Sequence, residues 1–348
     1  MQEPTVSVCI PTYNRASMLR EAIESVLMQS FEDFELIVSD NASEDETENT
    51  VTSYVDNRIQ YLRNDQNIGC RENFNRCLAL AKGQYIAFLP DDDAMMPDNL
   101  AAKVEALSRN HQVGLVHSKY HLIDSDGRIM KSDTNWGHGP DRMSDAVEAG
   151  HEVLRTMLLT YNTINLPTVL FRKTCYHRLG GWTDELSLTC DWEYWMRIAA
   201  YYDIAFIARP LIKWRIHTES RTSLYAHGAS NTVTEPAFRE GLLAKHLILR
   251  RYSGLIAQGH SLKKQVRLKM RSQIVWRGET LLGGISPNPR VRAFLLLMCR
   301  TFPWILVDKR VWKLVLKSVL RRQSIQMLKR LQSFLMRATY SALKGSRD

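Results

Sequence analysis

Short apolar runs alternate with amphipathic stretches through the first part of the chain. The runs are rich in Val, Ile, Leu and Phe, as buried strands are, and they lie at 6–10, 34–38, 59–62 and 85–89. The stretches between them repeat apolar residues at helical spacing. Strands that alternate with helices favour right-handed βαβ units. The pattern therefore predicts an α/β fold with a mainly parallel, Rossmann-like central sheet and helices on both of its faces.

Polar loops follow three of these apolar strands, at residues 11–15, 40–43 and 91–93. Ligands of open α/β sheets bind outside the carboxyl ends of the strands. We therefore expect the three loops to converge on one crevice.

The third loop consists of three consecutive carboxylates, Asp91, Asp92 and Asp93. Adjacent anions repel one another and gain nothing from burial. A divalent cation bound to a phosphate-bearing substrate would relieve that repulsion. A solvated turn that caps the next helix would also explain the triplet, and these three residues alone do not decide between the two interpretations.

Two polar residues further along the chain also occupy positions that are typical of catalytic or binding residues. Asp191 opens a segment of helical periodicity at 190–197, and His217 follows an apolar strand at 211–216. Each has an ordinary structural explanation as well: a helix-capping carboxylate for Asp191 and a structural histidine for His217. The polar, glycine-containing stretch at 131–145 predicts a mobile loop over the site.

Charge divides the chain into two parts. Residues 241–348 contain 23 Lys and Arg against 3 Asp and Glu, whereas the rest of the chain contains 23 basic and 34 acidic residues. A length of 348 residues suits one large domain and an appendage. We therefore expect a catalytic domain at 1–225 and a basic, mostly helical region at 226–348.

Several classes of protein are disfavoured. The chain has no GxGxxG after its first strand, and no GxxxxGK[ST], HExxH or GxSxG motif, so the corresponding phosphate cradles, zinc sites and nucleophile elbows lack their signatures. The six cysteines form no CxxC pair, and the N-terminus shows no basic-then-apolar signal segment. Reduced thiols and a cytoplasmic location are therefore expected.

Motifs spread over about residues 5–222 together resemble the inverting glycosyltransferases of family 2, which have the GT-A fold. They are the segments at 8–15, 39–43, 67–69, 83–86, 91–93, 180–182, 191–197 and 215–217. Each segment is weak evidence alone, but their order and spacing are specific. The resemblance implies a GT-A domain that transfers a sugar from a nucleotide sugar to a hydroxyl group.

The resemblance also implies a nucleotide pocket. Its members would be Pro11, Thr12, Tyr13, Arg15 and Asp40. The aromatic ring would pack near the base, and the carboxylate after the second strand would accept a hydrogen bond from the base, most simply from the imide N–H of uracil. A UDP-sugar is therefore the favoured donor.

Further contacts to the donor or the acceptor follow from the same resemblance. Arg71 or Asn75 would face the nucleotide or the sugar. Trp182 would form a sugar-stacking wall, and Asp184 would contact the sugar or the acceptor.

A divalent cation, Mg²⁺ or Mn²⁺, is the cofactor that the resemblance implies. The family usually has Asp-x-Asp-Asp after the strand, and Pro90 replaces the first of these residues here. Asp92 and Asp93, together with His217, would hold the metal, while Asp91 and Asp92 would contact the nucleotide. Which of the three carboxylates binds the metal stays open.

Asp191 matches the catalytic base of the family, although Cys190 replaces the acidic residue that often precedes it. The base would take the proton of an acceptor hydroxyl as that oxygen attacks the anomeric carbon, and the metal would neutralise the departing diphosphate. This single displacement inverts the anomeric configuration. The expected enzyme is a hexosyl- or N-acetylhexosaminyl-transferase of cell-surface polysaccharide or glycolipid-precursor synthesis.

Two other functions stay open. A GT-A-like sugar nucleotidyltransferase would need a glycine-rich, basic loop after its first strand, and the loop at 11–15 contains no glycine. A non-catalytic adaptor that binds nucleotide sugars would be expected to lack Asp191 or the acidic triplet, and this chain has both.

The sequence of the basic region predicts several helices. Over 311–322, apolar and basic residues alternate with the periodicity of a helix. A helical subdomain docked on the catalytic domain explains this pattern, and so does an interfacial helix on an anionic membrane, which we favour because the family often uses lipid-linked acceptors. The enzyme would then be peripheral on the cytoplasmic face. The apolar run at 293–307 is too short to span a bilayer. No recognition motif supports nucleic acid as a partner.

Overall fold

The computed structural model describes residues 3–134, 143–218, 220, 226–227, 232–252, 254, 259–282 and 289–319. The chain divides into two compact units, Met1–Lys263 and Lys264–Asp348. The boundary that we predicted at residue 225 stays a prediction. Part of the predicted loop at 131–145 lies outside the described residues.

Twelve strands occur among the described residues of the first unit. They are β1 Val6–Thr12, β2 Phe34–Asp40, β3 Ile59–Arg63, β4 Tyr85–Phe88, β5 Ala94–Met95, β6 Val113–Ile123, β7 Ile129–Thr134, β8 Ala146–Glu148, β9 Leu170–Arg172, β10 Asp203–Arg215, β11 Ala226–His227 and β12 Thr232–Val233.

Helices connect these strands and continue beyond them. They are α1 Ala16–Leu27, α2 Thr47–Thr52, α3 Cys70–Leu80, α4 Asn99–Arg109, α5 Gly150–Leu159, α6 Lys173–Leu179, α7 Cys190–Ala199, α8 Glu235–Arg251, α9 Gly259–Leu282, α10 Pro289–Thr301 and α11 Lys309–Val319. The described residues also contain 3₁₀ helices at Leu166–Thr168 and Pro303–Val307.

The main sheet runs in the order β3-β2-β1-β4-β9-β6-β10-β5, with β7 paired to β6 and β8 paired to β10, while β11 and β12 form a separate two-stranded sheet. The strands β3, β2, β1 and β4 are mutually parallel, and so are β6 and β10. The short strand β9 joins the two parallel groups because it pairs antiparallel with both β4 and β6. The predicted α/β class is confirmed, and its parallel pairing is strongest in the N-terminal half.

Strand β1 lies inside the sheet, and all seven of its residues are buried. Val8 and Ile10 belong to the same apolar cluster as Leu19 and Ile23 of α1. The alternate residue Cys9 places its Sγ 3.9 Å from the backbone oxygen of Cys77 in α3. Successive side chains of a strand point to opposite faces, so α1 and α3 cover opposite faces of the sheet, as predicted.

Close backbone packing explains the glycine before β4. A Cβ atom at Gly83 would lie 2.5 Å from the backbone nitrogen of Ser7, too close for any side chain. The N–H of Gly83 instead donates to Oγ of Ser7 over 2.8 Å. The start of β4 can therefore lie directly against β1, which sets the register that carries the acidic triplet to the end of β1.

The second unit is helical in its described part and has its own apolar core. The core includes Phe294 and Met298 of α10 together with Val311 and Leu314 of α11, all of them buried. Trp312 and Leu316 remain half-exposed on α11. Among the described residues, no helix is both long and apolar enough to cross a membrane.

Candidate active site

The acidic triplet forms a buried turn between β4 and β5. Asp91, Asp92 and Asp93 have exposed fractions of only 5%, 8% and 2%. Three carboxylates at this degree of burial must be paired or neutralised, because an unpaired buried charge is costly. The solvated turn that the sequence left open is therefore wrong.

The loop after β1 supplies a cation to the triplet. Nη1 of Arg15 lies 3.0 Å from Oδ1 of Asp91 and 2.9 Å from Oδ2 of Asp92. The hydroxyl of Thr12 donates to Oδ2 of Asp91 over 2.8 Å, and the backbone N–H of Tyr13 approaches the same oxygen at 3.4 Å. Two loops that are separated by about eighty residues in sequence thus form one polar cluster.

The loop after β2 joins this cluster. The backbone N–H of Asn14 donates to Oγ of Ser43 over 2.9 Å, which connects the first loop to the second. Since Thr12 connects the first loop to Asp91, all three strand-end loops meet at one edge of the sheet. The convergence that the topology rule predicted is confirmed by these contacts.

Asp40 is fully buried at the end of β2. Its Oδ2 accepts a hydrogen bond from the hydroxyl of Tyr61 over 2.7 Å, and its Oδ1 accepts one from the N–H of Ser43 over 2.9 Å. Burial, with the adjacent Asp40 carboxylate, raises the pKa of the Tyr61 hydroxyl. Nε of Arg63 lies 3.6 Å from Oδ2 of Asp40. The carboxylate is therefore held in a fixed orientation, and its hydrogen bond to a base stays a prediction.

The end of β10 closes the cluster from the other side. Nε2 of His217 lies 3.0 Å from Oδ2 of Asp92. The backbone N–H of Arg215 donates to Oδ1 of Asp93 over 2.8 Å, and Nε of its side chain donates to the backbone oxygen of Asp92 over 2.8 Å. Sequence reasoning gave Arg215 no role of its own. Its position two residues before His217 was the available signal.

Burial and mutual repulsion change the acidity of the triplet. Burial, followed by the charge of Asp92, raises the pKa of Asp91 to about 6, although Arg15 and Thr12 act in the opposite direction. The same two causes raise the pKa of Asp93 well above its usual value. Both carboxyl groups are therefore protonated more easily than an exposed aspartate, and a cation bound beside them would favour their ionised forms.

The residues around the triplet fit a divalent cation that is shared with a phosphate ligand. Oδ2 of Asp93 is buried and has no hydrogen-bond partner among the described residues, so it can accept a cation. Within the described ranges, no group of three or more His, Cys, Asp or Glu side chains could hold a metal ion by itself. Mg²⁺ in phosphate-transfer sites is often held by one or two carboxylates and substrate oxygens, which is what this donor set allows.

Arg71 and Asn75 of α3 hold the segment that precedes α7. Nη1 of Arg71 donates to the backbone oxygens of Asp184 and Leu186 over 2.8 and 3.4 Å. The side-chain amide of Asn75 accepts from the N–H of Trp182 over 2.7 Å and donates to its oxygen over 3.1 Å. Arg71 also pairs with the carboxylate of Glu72. The predicted contact of Arg71 or Asn75 with a nucleotide or sugar stays a prediction.

Trp182 packs into the interior, whereas Asp184 is exposed. The indole ring stacks on Phe74 with centroids 4.3 Å apart and lies 5.6 Å from the ring of Phe88. Only 8% of Trp182 is exposed, so its ring contributes mainly to the core. The roles predicted for both residues toward a sugar or an acceptor stay predictions.

Asp191 lies in the first turn of α7, as predicted. The side-chain amide of Asn162 donates to its Oδ2 over 3.3 Å. The preceding Cys190 is buried, with its Sγ 3.1 Å from the backbone oxygen of Leu186. The carboxylate is partly exposed. Its environment combines solvent access with a neutral donor, which suits a group that must accept a proton.

The fold and this polar cluster define a class. An α/β sheet whose first strand-end loop meets an acidic turn after the fourth strand, followed by a helical C-terminal region, is the GT-A arrangement. The solved structure of S. aureus TarS residues 1–349 has the same fold, with a TM-score of 0.63 and 18% identity over 90% of this chain and 83% of that one. The TarS fragment in complex with UDP-GlcNAc gives a TM-score of 0.57.

Sequence comparison gives the family. Residues 7–162 match the family model of glycosyl transferase family 2. The uncharacterized glycosyltransferase RP339 of Rickettsia prowazekii is 32% identical over 223 residues, which cover 63% of this chain and 66% of that protein. An uncharacterized glycosyltransferase of Rickettsia felis is 31% identical over 219 residues, and there the match covers 35% of its length. Residues 7–162 of the chain therefore belong to glycosyl transferase family 2.

Proposed function

We propose that the protein is an inverting glycosyltransferase that moves a sugar from a nucleotide sugar to a hydroxyl of a saccharide or lipid-linked acceptor. One observation carries the proposal. Arg15 of the first strand-end loop pairs with Asp91 and Asp92 of the acidic turn, at the edge of the sheet where ligands of such folds bind. Family 2 membership supports sugar transfer as the reaction.

A UDP-sugar is the proposed donor, with a hexose or an N-acetylhexosamine as its sugar. Pro11 and Thr12 are buried at the end of β1, while 43% of Tyr13 is exposed and its ring is free to pack on a base. Asp40, whose Oδ2 accepts from Tyr61 and whose Oδ1 accepts from Ser43, is the proposed acceptor for the imide N–H of the base. TarS, a protein of the same fold, has been solved in complex with UDP-GlcNAc and with UDP.

Asp92 and Asp93, with His217, would hold Mg²⁺ or Mn²⁺. The partnerless Oδ2 of Asp93 supports this assignment, and so does the 3.0 Å contact between His217 and Asp92. When bound, the metal would supply a Lewis acid that neutralises charge on the departing diphosphate. Arg15 adds a fixed positive charge beside the same place.

Asp191 is the proposed base. Its carboxylate would accept the proton of the acceptor hydroxyl as that oxygen forms a bond to the anomeric carbon and the bond to the diphosphate breaks. The amide of Asn162 donates to Oδ2 of this carboxylate and helps to orient it without adding charge. Attack opposite to the leaving group inverts the anomeric centre. Cell-surface polysaccharide or glycolipid precursors are the proposed acceptors.

Helix α11 supports an anionic membrane surface as a further partner. Trp312 and Leu316 are one helical turn apart and half-exposed, and Lys313 and Lys317 follow them at the same spacing. Exposed apolar residues beside lysines suit the interface of an anionic bilayer, and the protein would then act at the cytoplasmic face. The fraction of the protein that co-sediments with phosphatidylserine vesicles should fall as the salt concentration rises. Equal recovery with neutral vesicles would contradict this part of the proposal.

A donor panel tests the proposed activity. UDP, GDP and their sugars are titrated into the protein with Mn²⁺ or with EDTA, and slow hydrolysis of each sugar is followed. We expect UDP to bind more tightly than GDP and only with Mn²⁺, and Asp40→Asn to weaken the binding of UDP. Asp126→Asn is the matched control, because Asp126 lies exposed in the β6–β7 turn. Failure of every nucleotide sugar to bind would refute the proposal.

A further inference from the structure

Helix α8 is hydrogen-bonded to the segment that precedes Asp191. Oε2 of Glu240 accepts hydrogen bonds from the backbone N–H groups of Ser187 and Leu188 over 2.9 and 2.7 Å. Its Oε1 accepts a third from the hydroxyl of Ser187 over 2.8 Å. Glu240 is buried, so a carboxylate held by three donors in this environment fixes the segment strongly.

The same helix also holds the segment that carries the partner of Asp191. Nζ of Lys245 donates to the backbone oxygen of Thr160 over 2.6 Å. Two residues later, Asn162 donates its amide to Oδ2 of Asp191. Lys245 is 1% exposed, and its Nζ also lies 5.3 Å from the ring of Trp192 and 5.5 Å from the ring of Tyr161.

Direct packing completes the arrangement. A Cβ atom at Gly241 would lie 2.9 Å from Cζ3 of Trp192, the residue after Asp191. Glycine therefore lets α8 approach α7 at the residue next to the proposed base. Three neighbouring positions of one helix thus contact the chain before Asp191, the chain after it, and the loop of its hydrogen-bond donor.

We propose that α8 is a clamp that sets the position of Asp191, and that Glu240 and Lys245 are positioning residues for the transfer reaction. The inference rests on the proposed function, in which Asp191 is the base. Both residues lie beyond the part of the chain that matches the family model, which ends at residue 162. A small displacement of a base costs rate while leaving the donor site unchanged, since the nucleotide contacts come from other loops.

The test compares four variants of the full chain: Glu240→Ala, Glu240→Gln, Lys245→Met and Arg250→Ala. Glutamine can still accept from both N–H groups and can donate to the hydroxyl of Ser187, so it should keep most of the activity. We expect Glu240→Ala and Lys245→Met to lower kcat at least about tenfold while the donor KM and the Kd for UDP stay within about twofold of wild type. Arg250 is exposed on the same helix, and its variant should match wild type.

Hydrogen exchange gives the clamp a readout that is independent of turnover. The amides of Ser187 and Leu188 should lose protection in Glu240→Ala and keep it in Glu240→Gln. Unchanged protection, an unchanged kcat in both Glu240→Ala and Lys245→Met, or a rise in KM without a fall in kcat would overturn the inference. If the wild-type protein transfers no sugar, the proposed function is refuted. Hydrogen exchange then still tests whether Glu240 holds the segment at Ser187 and Leu188.

Discussion

Replacing Arg215 by methionine is expected to loosen the acidic turn and to lower the free energy of unfolding. Arg215 is 4% exposed, and its guanidinium connects three parts of the fold. Nε donates to the backbone oxygen of Asp92 over 2.8 Å, and Nη1 donates to those of Asp124 and Ser125 over 3.2 and 3.1 Å. Nη2 pairs with Glu21 of α1.

The size of the effect follows from the groups that lose a donor. The backbone oxygen of Asp92 is buried and costs about 1–1.5 kcal/mol when it is left unpaired, whereas those of Asp124 and Ser125 lie in a more exposed turn and cost about 0.5 kcal/mol each. The ion pair with Glu21 adds less than about 1 kcal/mol, because 44% of the Glu21 side chain is exposed and solvent screens the pair. Methionine replaces the stem of the arginine, so little packing is lost. The expected total is about 2–3 kcal/mol.

Urea denaturation of Arg215→Met, followed by hydrogen exchange in β10, measures this loss in the first unit. Arg215→Lys is the matched control, since lysine keeps the charge but cannot form the fork of N–H donors, and it should recover less than half of the loss. A loss below about 1 kcal/mol, or full recovery by lysine, would refute the assignment of Arg215 as the residue that fixes the turn.

Three further substitutions test other parts of the account. Asp191→Asn should abolish transfer and leave UDP affinity nearly intact; if affinity collapses, Asp191 belongs to the donor site or the fold. Lys103 is buried without a hydrogen-bond partner among the described residues, and burial lowers its pKa. Wild type therefore gains stability as pH rises toward about 10.4, the unfolded value. Lys103→Met should raise the free energy of unfolding by about 1–3 kcal/mol at pH 7. Denaturant titrations should show this gain shrinking toward pH 10, and a gain that does not depend on pH would contradict the buried charge as its cause. Gly83→Ala should lower the free energy of unfolding by about 1–3 kcal/mol in the same assay, because the Cβ of alanine would meet the backbone of Ser7. An unchanged denaturation midpoint would contradict this close contact.

The parallel half of the sheet was predictable because its signals are local. Each of β1, β2 and β4 is a short, mostly apolar run that leads into a polar loop, and such runs are typical of strands buried on both faces. The position of the acidic turn followed from the same pattern. A rule about strand ends then predicted that the loops after β1 and β4 would meet, and the contact between Thr12 and Asp91 joins them.

Strand β10 shows where local signals fail. Residues 211–216 were predicted as a strand, whereas β10 begins at Asp203 and passes through Pro210. Proline argues against a continuous strand in a sequence. The structure accommodates it at an irregularity, since the register with β6 shifts on both sides of Pro210. That irregularity depends on the pairing with β6, which the sequence of β10 alone does not encode.

The roles of several polar residues depended on partners far away in sequence. Asn75 bonds to Trp182, 107 positions later, and Arg71 bonds to Asp184, 113 positions later. Nothing near either residue signals such a partner, so their family resemblance pointed to the nucleotide instead. Glu240 was missed for the same reason, because a single glutamate on a helix looks like a solvated one until its three donors are seen.

The anomeric configuration of the first product tests the central claim most directly. The wild-type protein is incubated with Mn²⁺ and the α-linked UDP-sugar that binds best, and the anomeric proton of the sugar released or transferred is followed by NMR before mutarotation. A single displacement with Asp191 as base predicts a β-configured product in the wild type and no product from Asp191→Asn. An α-configured first product would contradict the mechanism, because it would require two successive displacements or attack from the face of the leaving group.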